Sequence, residues 1–238
     1  MDETGILERM MLFGLTRVEA SIYICLFKSG ELTGYEVAKQ TGISRSNVYS
    51  GLSGLVDKGA AYLIEGKSSK YVAVSIEEFC ENKIRNMKRD KEFLMRNMPV
   101  VAAVEEGYIT IEGAKNIRDK ILTMLENAKQ RIYLSAPESF IQSIKPELLE
   151  IVHRKIKLVL ITDKDVGMGE TIQYLTDKKE NQIRLIIDSL FVLTGDIEGE
   201  KSDTCLYSGQ KNFVNVFKES LRNEIKLIEL TGGEKKDE

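Results

Sequence analysis

Three capping boxes divide the N-terminal third of the chain into short helical segments. Each box places Ser or Thr at a helix start and Glu three residues later: Thr16 and Glu19, Thr33 and Glu36, and Ser75 and Glu78. The hydroxyl can accept from a free backbone N–H while the Glu reaches back to another. Glycine, which adopts the left-handed terminal conformation cheaply, stands where helices should end: Gly14, Gly30, Gly42 and Gly59. These signals predict helices at 4–13, 17–29, 34–41 and 45–58.

The segment after the fourth helix, AAYLIEGKSSKYVAVS, predicts a β-hairpin. Apolar and polar residues alternate on both sides of GKSS, a Gly/Ser turn. Helix, helix, turn, helix and hairpin follow one another in the order of a winged helix-turn-helix module. Lys67, Ser68, Ser69 and Lys70 lie at or beside the hairpin tip, where ammonium and hydroxyl groups can reach DNA phosphates. Lys39 on the preceding helix is expected to do the same.

The fourth helix, within TGISRSNVYSGLSGLVDKG, has one apolar and one small, polar face. Val48, Leu52, Leu55 and Val56 recur at helical spacing and predict a buried stripe. The opposite face and its flanks are almost free of long charged side chains; they hold Arg45, Ser46, Asn47, Tyr49, Ser50, Ser53, Gly54 and Asp57. In a helix-turn-helix the N-terminal residues of the second helix meet base edges in the major groove. We interpret Gly51 and Gly54 as permitting close approach to DNA; the alternative is tight packing against another helix or the wing.

Composition restricts the classes of function. The chain is 42% hydrophobic and 30% charged, as expected for a globular protein, and has no apolar run of the roughly 18–20 residues that span a bilayer. We therefore expect a cytoplasmic protein that does not contact the membrane. Three dispersed cysteines and one histidine predict no disulfide framework, no metal site and no cofactor. Because the formal net charge is −3, DNA binding must depend on local basic patches.

Residues 76–98 contain no Gly or Pro and predict one long helix that stops at Pro99. An imperfect seven-residue apolar rhythm runs along it: Ile76, Cys80, Met87, Leu94 and Met98. Such a stripe is more typical of a connector packed on its own domain than of a coiled coil, and dimerisation is the alternative. The predicted organisation is a winged helix-turn-helix domain at 1–75, a connecting or dimerisation helix at 76–100, and a third region at 101–238.

The C-terminal half alternates short β-rich runs with helical stretches. The strands are YITIEG, RIYLSA, IKLVLIT, IRLIID, LFVLTG and DTCLYS, and the helices fall at 113–128, about 139–152, 169–178 and 211–223. This alternation predicts an α/β sandwich with a largely parallel sheet.

Residues 15–79 resemble the N-terminal domain of TrmB-type transcriptional regulators. The shared pattern is a helix opening with T..EA..Y, a G(I/V)..S.VY..L..L..KG recognition segment, and a G....Y.....EE wing and exit. Two departures, Ala61 after KG and the absence of the usual wing Pro, suggest a shorter wing contact. The resemblance implies a prokaryotic regulator that binds double-stranded operator DNA as a homodimer. The implied DNA contacts are Ser44, Arg45, Ser46, Asn47, Tyr49 and Ser50 in the recognition helix and Lys67, Ser69 and Lys70 in the wing.

The stretch YITIEGAKNIRDKILTMLENAKQRIYLSAPESF resembles the opening of a phospholipase-D-like domain, which implies an α/β effector or dimerisation domain. In some sugar-responsive members this half binds the effector, but no motif here names a sugar, so effector and ligand residues are unknown. Catalysis of the phospholipase D type needs the motif His-x-Lys-x4-Asp. Here His153 and Lys155 match its start, but the position required to be Asp is Leu160, and Asp163 comes three residues after it. We therefore predict no enzyme, and His153 as an exposed helix-end residue.

Two other features of the C-terminal half could touch a ligand. Asp163, Asp165 and Asp188 lie at or beyond strand ends, where α/β folds place ligands. The segment TDKDVGMGET could approach a ligand through Gly167 and Gly169. Solvated loops would look the same.

The sequence thus predicts a sequence-specific DNA-binding regulator with a C-terminal sensor or dimerisation domain. Two alternatives remain: a phosphodiesterase or nuclease acting through the C-terminal half, and a regulator whose C-terminal half only oligomerises.

Overall fold

The structure is a computed structural model that describes residues 3–99, 107–176, 181–200, 202–231 and, for the backbone, 235–237. The chain divides into two compact units, Met1–Val100 and Val101–Glu238. Each unit is described by itself.

The first unit is helical with one small sheet. Its helices are α1 (Glu3–Leu12), α2 (Arg17–Ser29), α3 (Gly34–Thr41), α4 (Arg45–Asp57) and α5 (Ile76–Asn97), and its strands are β1 (Leu32–Thr33), β2 (Ala61–Ile64) and β3 (Lys70–Ala73). The sheet is antiparallel in the order β1-β3-β2. The predicted helices and hairpin are confirmed. The two-residue strand β1 was not predicted, because only its pairing with β3 makes it a strand.

Local capping explains why the helices begin and end where they do. Thr16 and Thr33 each form a complete capping box with the Glu three residues later. Ser75 forms half of one: its hydroxyl accepts from the Glu78 backbone N–H at 3.2 Å, whereas the Glu78 carboxylate accepts from the Tyr62 hydroxyl at 3.0 Å.

The core of the first unit joins α2, α4 and the start of α5. Ile22, Leu26, Leu52, Leu55 and Phe79 are fully buried within it. Phe79 is the buried residue of α5, and from Ile84 onward every α5 residue is exposed. The expectation that this helix packs on its own domain is therefore correct only for its first two turns.

The second unit is a mixed sheet covered by helices on both faces. Its strands are β4 (Ile109–Glu112), β5 (Arg131–Ser135), β6 (Lys157–Thr162), β7 (Ile172–Leu175), β8 (Gln182–Ile187), β9 (Phe191–Asp196), β10 (Thr204–Ser208) and β11 (Lys235–Asp237). Its helices are α6 (Ala114–Asn127), α7 (Glu138–Ser143), α8 (Lys145–His153) and α9 (Lys211–Thr231). The strand order is β11-β7-β6-β5-β8-β9-β10-β4.

Three predictions for this unit are wrong in detail. Only β5–β6 and β6–β7 are parallel among the described strand pairs, so the sheet is not largely parallel. The stretch 169–178, predicted helical, contains β7, which pairs with the buried strand β6. The single helix expected near 139–152 is two helices that meet at Ile144. The strand directions and β7 depend on pairing partners outside the local segment, which a local pattern does not show.

The sheet separates two apolar layers, because successive strand residues point to opposite faces. One face carries Ile132 and Leu134 against α6 and α8, and the other carries Val159 and Ile186 against α9. The predicted architecture of a winged-helix unit, a long helix and an α/β sandwich is thus confirmed. Among the described residues no single helix is long and apolar enough to cross a membrane; α1 and α2 reach that threshold only as a pair bent by 118°.

Candidate nucleic-acid interface

The N-terminal half of α4 presents a row of small polar side chains to solvent. Ser44 is the N-cap, and its hydroxyl accepts from the Asn47 backbone N–H at 3.4 Å. Ser46, Asn47 and Ser50 are exposed on the following turns. Val48 on the opposite side is fully buried, which fixes the rotation of the helix. The side chains predicted to face DNA are therefore accessible, and their orientation is set by the core.

Two larger side chains at the start of α4 are held against α3. The Arg45 guanidinium lies 4.7 Å from the centre of the Tyr35 ring, a cation–π geometry. The Tyr49 ring packs on Gly34, where an added Cβ would lie 2.6 Å from the Tyr49 Cε1 atom. Both rings stay about half exposed. Tyr35 thus joins this surface, although sequence reasoning missed it; the signal was its position four residues before Lys39 on α3.

The two glycines of α4 do not face the open side of the helix, so the interpretation that they admit DNA is wrong. Gly51 is buried, and an added Cβ would lie 2.6 Å from the Ile22 Cδ1 atom of α2. Gly54 is half-buried, and an added Cβ would overlap the Glu19 carboxylate. The glycines permit α2 and α4 to pack closely, which was the alternative.

A buried ion pair links the back of α4 to α2. The Glu19 carboxylate accepts from the Lys58 ammonium at 2.6 Å and from the Thr16 backbone N–H at 2.6 Å. The side chains of Glu19 and Lys58 are 8% and 31% exposed. Burial raises the pKa of Glu19, but the bonds from Lys58 and Thr16 outweigh it and leave the pKa below its ordinary value. The charged form of Glu19 therefore holds the two helices together.

The wing presents two basic residues in different settings. Lys67 and Ser69 are exposed in the turn between β2 and β3. Lys70 begins β3, and its ammonium lies 3.6 Å from the Glu31 carboxylate, with both side chains about half exposed. Lys39 is exposed on α3. Lys67 thus has the greater freedom to meet an anion.

The carboxylates of the second unit that were candidate ligand contacts are engaged within the fold. Asp188 accepts from the backbone N–H groups of Lys129, Gln130 and Arg131 at 2.7–2.9 Å. Partial burial raises the pKa of Asp188, but these three bonds outweigh it and lower the pKa. Asp163 accepts from the Glu138 backbone N–H at the start of α7 at 2.8 Å. Asp165 accepts from the Gly167 backbone N–H at 2.9 Å.

The TDKDVGMGET segment is held by hydrogen bonds within the fold, and His153 is exposed at a helix end. The Lys145 ammonium donates to the carbonyls of Val166 and Gly167 at 2.7 and 3.3 Å, and Gln173 bonds both Val166 and Met168. His153 is the last residue of α8; its side chain is 77% exposed and lies 4.0 Å from the Glu150 carboxylate. This agrees with the prediction of an exposed helix-end histidine.

A winged helix with an accessible recognition helix, followed by an α/β sandwich, defines the class of two-part helix-turn-helix regulators. Two family models match: "Sugar-specific transcriptional regulator TrmB" over residues 10–77, and the "EBD N-terminal subdomain" of the transcriptional regulator TrmB over residues 107–200. Together they span well over half of the chain. The chain belongs to the TrmB family of transcriptional regulators, as predicted.

Two curated proteins are similar to this chain in sequence. The Bacillus subtilis protein YrhO is 28% identical over 167 residues, which cover 68% of this chain and 60% of YrhO. The HTH-type sugar-sensing transcriptional regulator TrmBL1 of Pyrococcus furiosus is 29% identical over 150 residues, which cover 61% of this chain and 44% of TrmBL1. This chain therefore matches only about half the length of these relatives.

Two solved structures are similar to this chain. The archaeal chromatin protein TrmBL2, whose structure is described as showing a novel mode of DNA binding, is 22% identical, with 97% of this chain and 98% of TrmBL2 covered and a TM-score of 0.46. The phospholipase D family member Nuc of Salmonella typhimurium is 14% identical, with 56% and 100% covered and a TM-score of 0.43.

Proposed function

We propose that this protein is a cytoplasmic, sequence-specific DNA-binding regulator whose helix α4 enters the major groove of operator DNA. The observation that carries the proposal is the contrast between the faces of α4: one packs into the core of the first unit, and the N-terminal half of the other offers Ser46, Asn47 and Ser50 to a partner. Short hydroxyl and amide side chains suit direct contact with base edges. The domain limits 1–75, 76–100 and 101–238 are the corresponding functional division.

The distribution of exposed positive charge also supports an approach of α4 and the wing to DNA. The chain carries a formal charge of −3, yet Lys39 on α3, Arg45 on α4 and Lys67 in the wing are all exposed. Contacts between such cations and phosphates supply affinity that does not depend on sequence and falls with salt. Lys70 contributes less, because Glu31 offsets its charge.

Two copies acting as a homodimer would place two α4 helices on half-sites about 34–36 Å apart. Several apolar side chains of α5 and its C-cap are exposed and available for a helix–helix contact: Ile84, Met87, Leu94 and, at the C-cap, Met98. The second unit would act as a sensor, a dimer surface or both. A ligand could change DNA affinity only by binding the DNA-competent and incompetent arrangements differently.

The proposal assigns no catalysis to the second unit. The matched family models are those of transcriptional regulators, and the residues around His153 lack the spacing of a phosphodiesterase. A bis-aryl phosphodiesterase activity lost in His153→Ala would reverse this assignment.

Replacing Asn47 with Ala tests base recognition. We expect operator affinity to fall by about 1–3 kcal/mol at one or two base pairs, with other positions unaffected, because the Asn amide can form paired hydrogen bonds with one base. Affinities for a set of single-base operator variants would measure this. Ser53→Ala, further along the exposed side of α4, is the control for helix integrity. A uniform loss over all operator positions would contradict a base contact.

Replacing Lys67 and Lys70 with Ala together tests the wing. We expect weaker binding to every DNA sequence, and a plot of log affinity against log salt with a slope shallower by about one to two. Titrations at several salt concentrations on operator and unrelated duplexes would measure it. Lys115→Ala with Lys211→Ala removes the same charge from the second unit and should leave the slope unchanged. An unchanged slope in the wing variant would remove the wing from the interface.

A further inference from the structure

A cleft of about 380 Å³ lies in the second unit between α9 and one face of the sheet. Arg131 and Tyr133 of β5 line it from the sheet, and Lys218, Arg222 and Lys226 line it from the helix. Its volume is in the range of about 300–1,000 Å³ typical of small-molecule pockets. All of its lining residues belong to the second unit, and His153 is not among them.

The charges in the cleft are strongly unbalanced. Four of its side chains are cationic, and among the described residues Glu229 is the one carboxylate in its lining; it accepts from the Tyr174 hydroxyl at 3.3 Å. Within the described ranges, none of the four cations forms an ion pair. By contrast, Arg184, beneath the same helix, pairs with Glu224 at 2.9 Å. A chain with a net charge of −3 has thus collected a local excess of positive charge at one concave place.

The spacing of the cations fits more than one anionic group. Lys218, Arg222 and Lys226 follow one another at four-residue intervals, so the rise of about 1.5 Å per residue places them about 6 Å apart along the helix. Arg131 faces this row from the start of β5. Asp188 lies near Arg131 and offsets part of its charge, while its carboxylate also accepts three backbone N–H groups. The three cations of the helix row carry most of the excess charge.

Apolar surface accompanies the charge. The half-buried ring of Tyr133 and the buried Leu221 lie in the same lining. Such apolar surface is suited to contact with the carbon skeleton of a small organic molecule. Binding of a nucleic-acid phosphate backbone, by contrast, would need only the cations. Arg supplies planar paired donors that match phosphate oxygens, and Lys adds point charge.

We propose that this cleft binds a small organic molecule carrying at least two phosphate groups, with Arg131 and the Lys218–Arg222–Lys226 row as the phosphate contacts. The inference does not rest on DNA binding by the first unit. The proposed ligand differs from a neutral sugar, because binding a neutral sugar would need no excess of cations.

Isothermal titration of the DNA-free protein tests the proposal. The probes are inorganic pyrophosphate, fructose 1,6-bisphosphate and, as the uncharged reference, fructose. We expect the two phosphorylated probes to bind with an affinity that falls with salt, the bisphosphate more tightly than pyrophosphate, and fructose not to bind. Arg222→Gln with Lys226→Gln should weaken both by at least tenfold, with the thermal midpoint of the unliganded protein unchanged.

The matched control is Lys115→Gln with Lys211→Gln, which removes the same charge from the same unit outside the cleft. If both double variants weakened probe binding equally, the loss would come from the change in overall charge, and the proposal would be overturned. Failure of both phosphorylated probes to bind the parent protein would overturn it as well. A different result would be that a short DNA duplex displaces pyrophosphate from the parent protein and fails to bind the variant Arg222→Gln with Lys226→Gln. That result would assign the cleft to a nucleic-acid backbone and overturn the proposal.

Discussion

Replacing Glu19 with Ala is expected to lower the free energy of unfolding of the first unit by about 2–4 kcal/mol. The change leaves the Lys58 ammonium without its partner and removes the carboxylate from the capping box with Thr16. Breaking a fully buried ion pair costs about 3–5 kcal/mol, and the lower range applies here because Lys58 keeps 31% exposure. Hydrogen exchange of α2 and α4 backbone amides would measure the loss in this unit alone.

Glu8→Ala is the matched control, since Glu8 is an exposed acid on α1; its effect should stay within about 0.5 kcal/mol. Gly54→Ala should reproduce part of the loss, because the new Cβ would push the Glu19 carboxylate away from Lys58. This loss should appear even though Ala favours a helix over Gly by about 1 kcal/mol. Equal stability of the Glu19 and Glu8 variants would show that the ion pair contributes nothing.

The contribution of Glu19 should depend on pH in a defined direction. Its pKa in the folded protein lies below the ordinary value of 4.5, so the folded state favours the charged form. The stabilisation is therefore complete above pH 4.5 and is lost as pH falls through the lower folded pKa. The difference between the parent and Glu19→Ala should shrink in that acidic range.

Replacing Leu94 with Glu is expected to dissociate the proposed homodimer. Leu94 is 54% exposed on α5, seven residues after Met87, which is 63% exposed. Burial of a Leu side chain contributes about 1.5–3 kcal/mol, so two copies facing each other would contribute about 3–6 kcal/mol, or roughly 10²–10⁴-fold in the dimer dissociation constant. The variant also places two like charges in one apolar seam. Sedimentation equilibrium over a range of concentrations would measure the constant.

Operator binding should change in parallel. In a dimer that binds two half-sites, the second α4 binds at a high effective concentration because the first is already bound. A monomer lacks this gain, so its affinity for the two-site operator should approach its affinity for one half-site. Asn86→Glu adds the same charge to α5 away from the Met87–Leu94 stripe and should leave both measurements unchanged. An unaltered dimer in the Leu94 variant would place the contact elsewhere, with the second unit as the next candidate.

Much of the first unit could be read from local signals. A capping box and a terminal glycine act within one helical turn, so they predict the bounds of α2 and α3 without knowledge of the rest of the fold. The accessible row of Ser46, Asn47 and Ser50 followed from helical periodicity, because Val48 and Leu52 mark the buried side.

The roles of Gly51 and Gly54 could not be read in that way. A glycine on a helix looks the same in sequence whether DNA or another helix approaches it, and only the positions of Ile22 and Glu19 decide between them. The same holds for Tyr35, which enters the candidate interface through its contact with Arg45.

The sequence by itself determined where the helices of the first unit begin and end, where the hairpin turns, and which side of α4 is polar, since each depends on residues a few positions apart. Only the tertiary structure decided three other features: the directions in which the strands pair, the formation of strand β7 by residues 172–175, and the position of Arg131 opposite a row of cations on α9. These features join segments from 13 to about 90 residues apart. Their energies come from packing and charge across space, which no local pattern records.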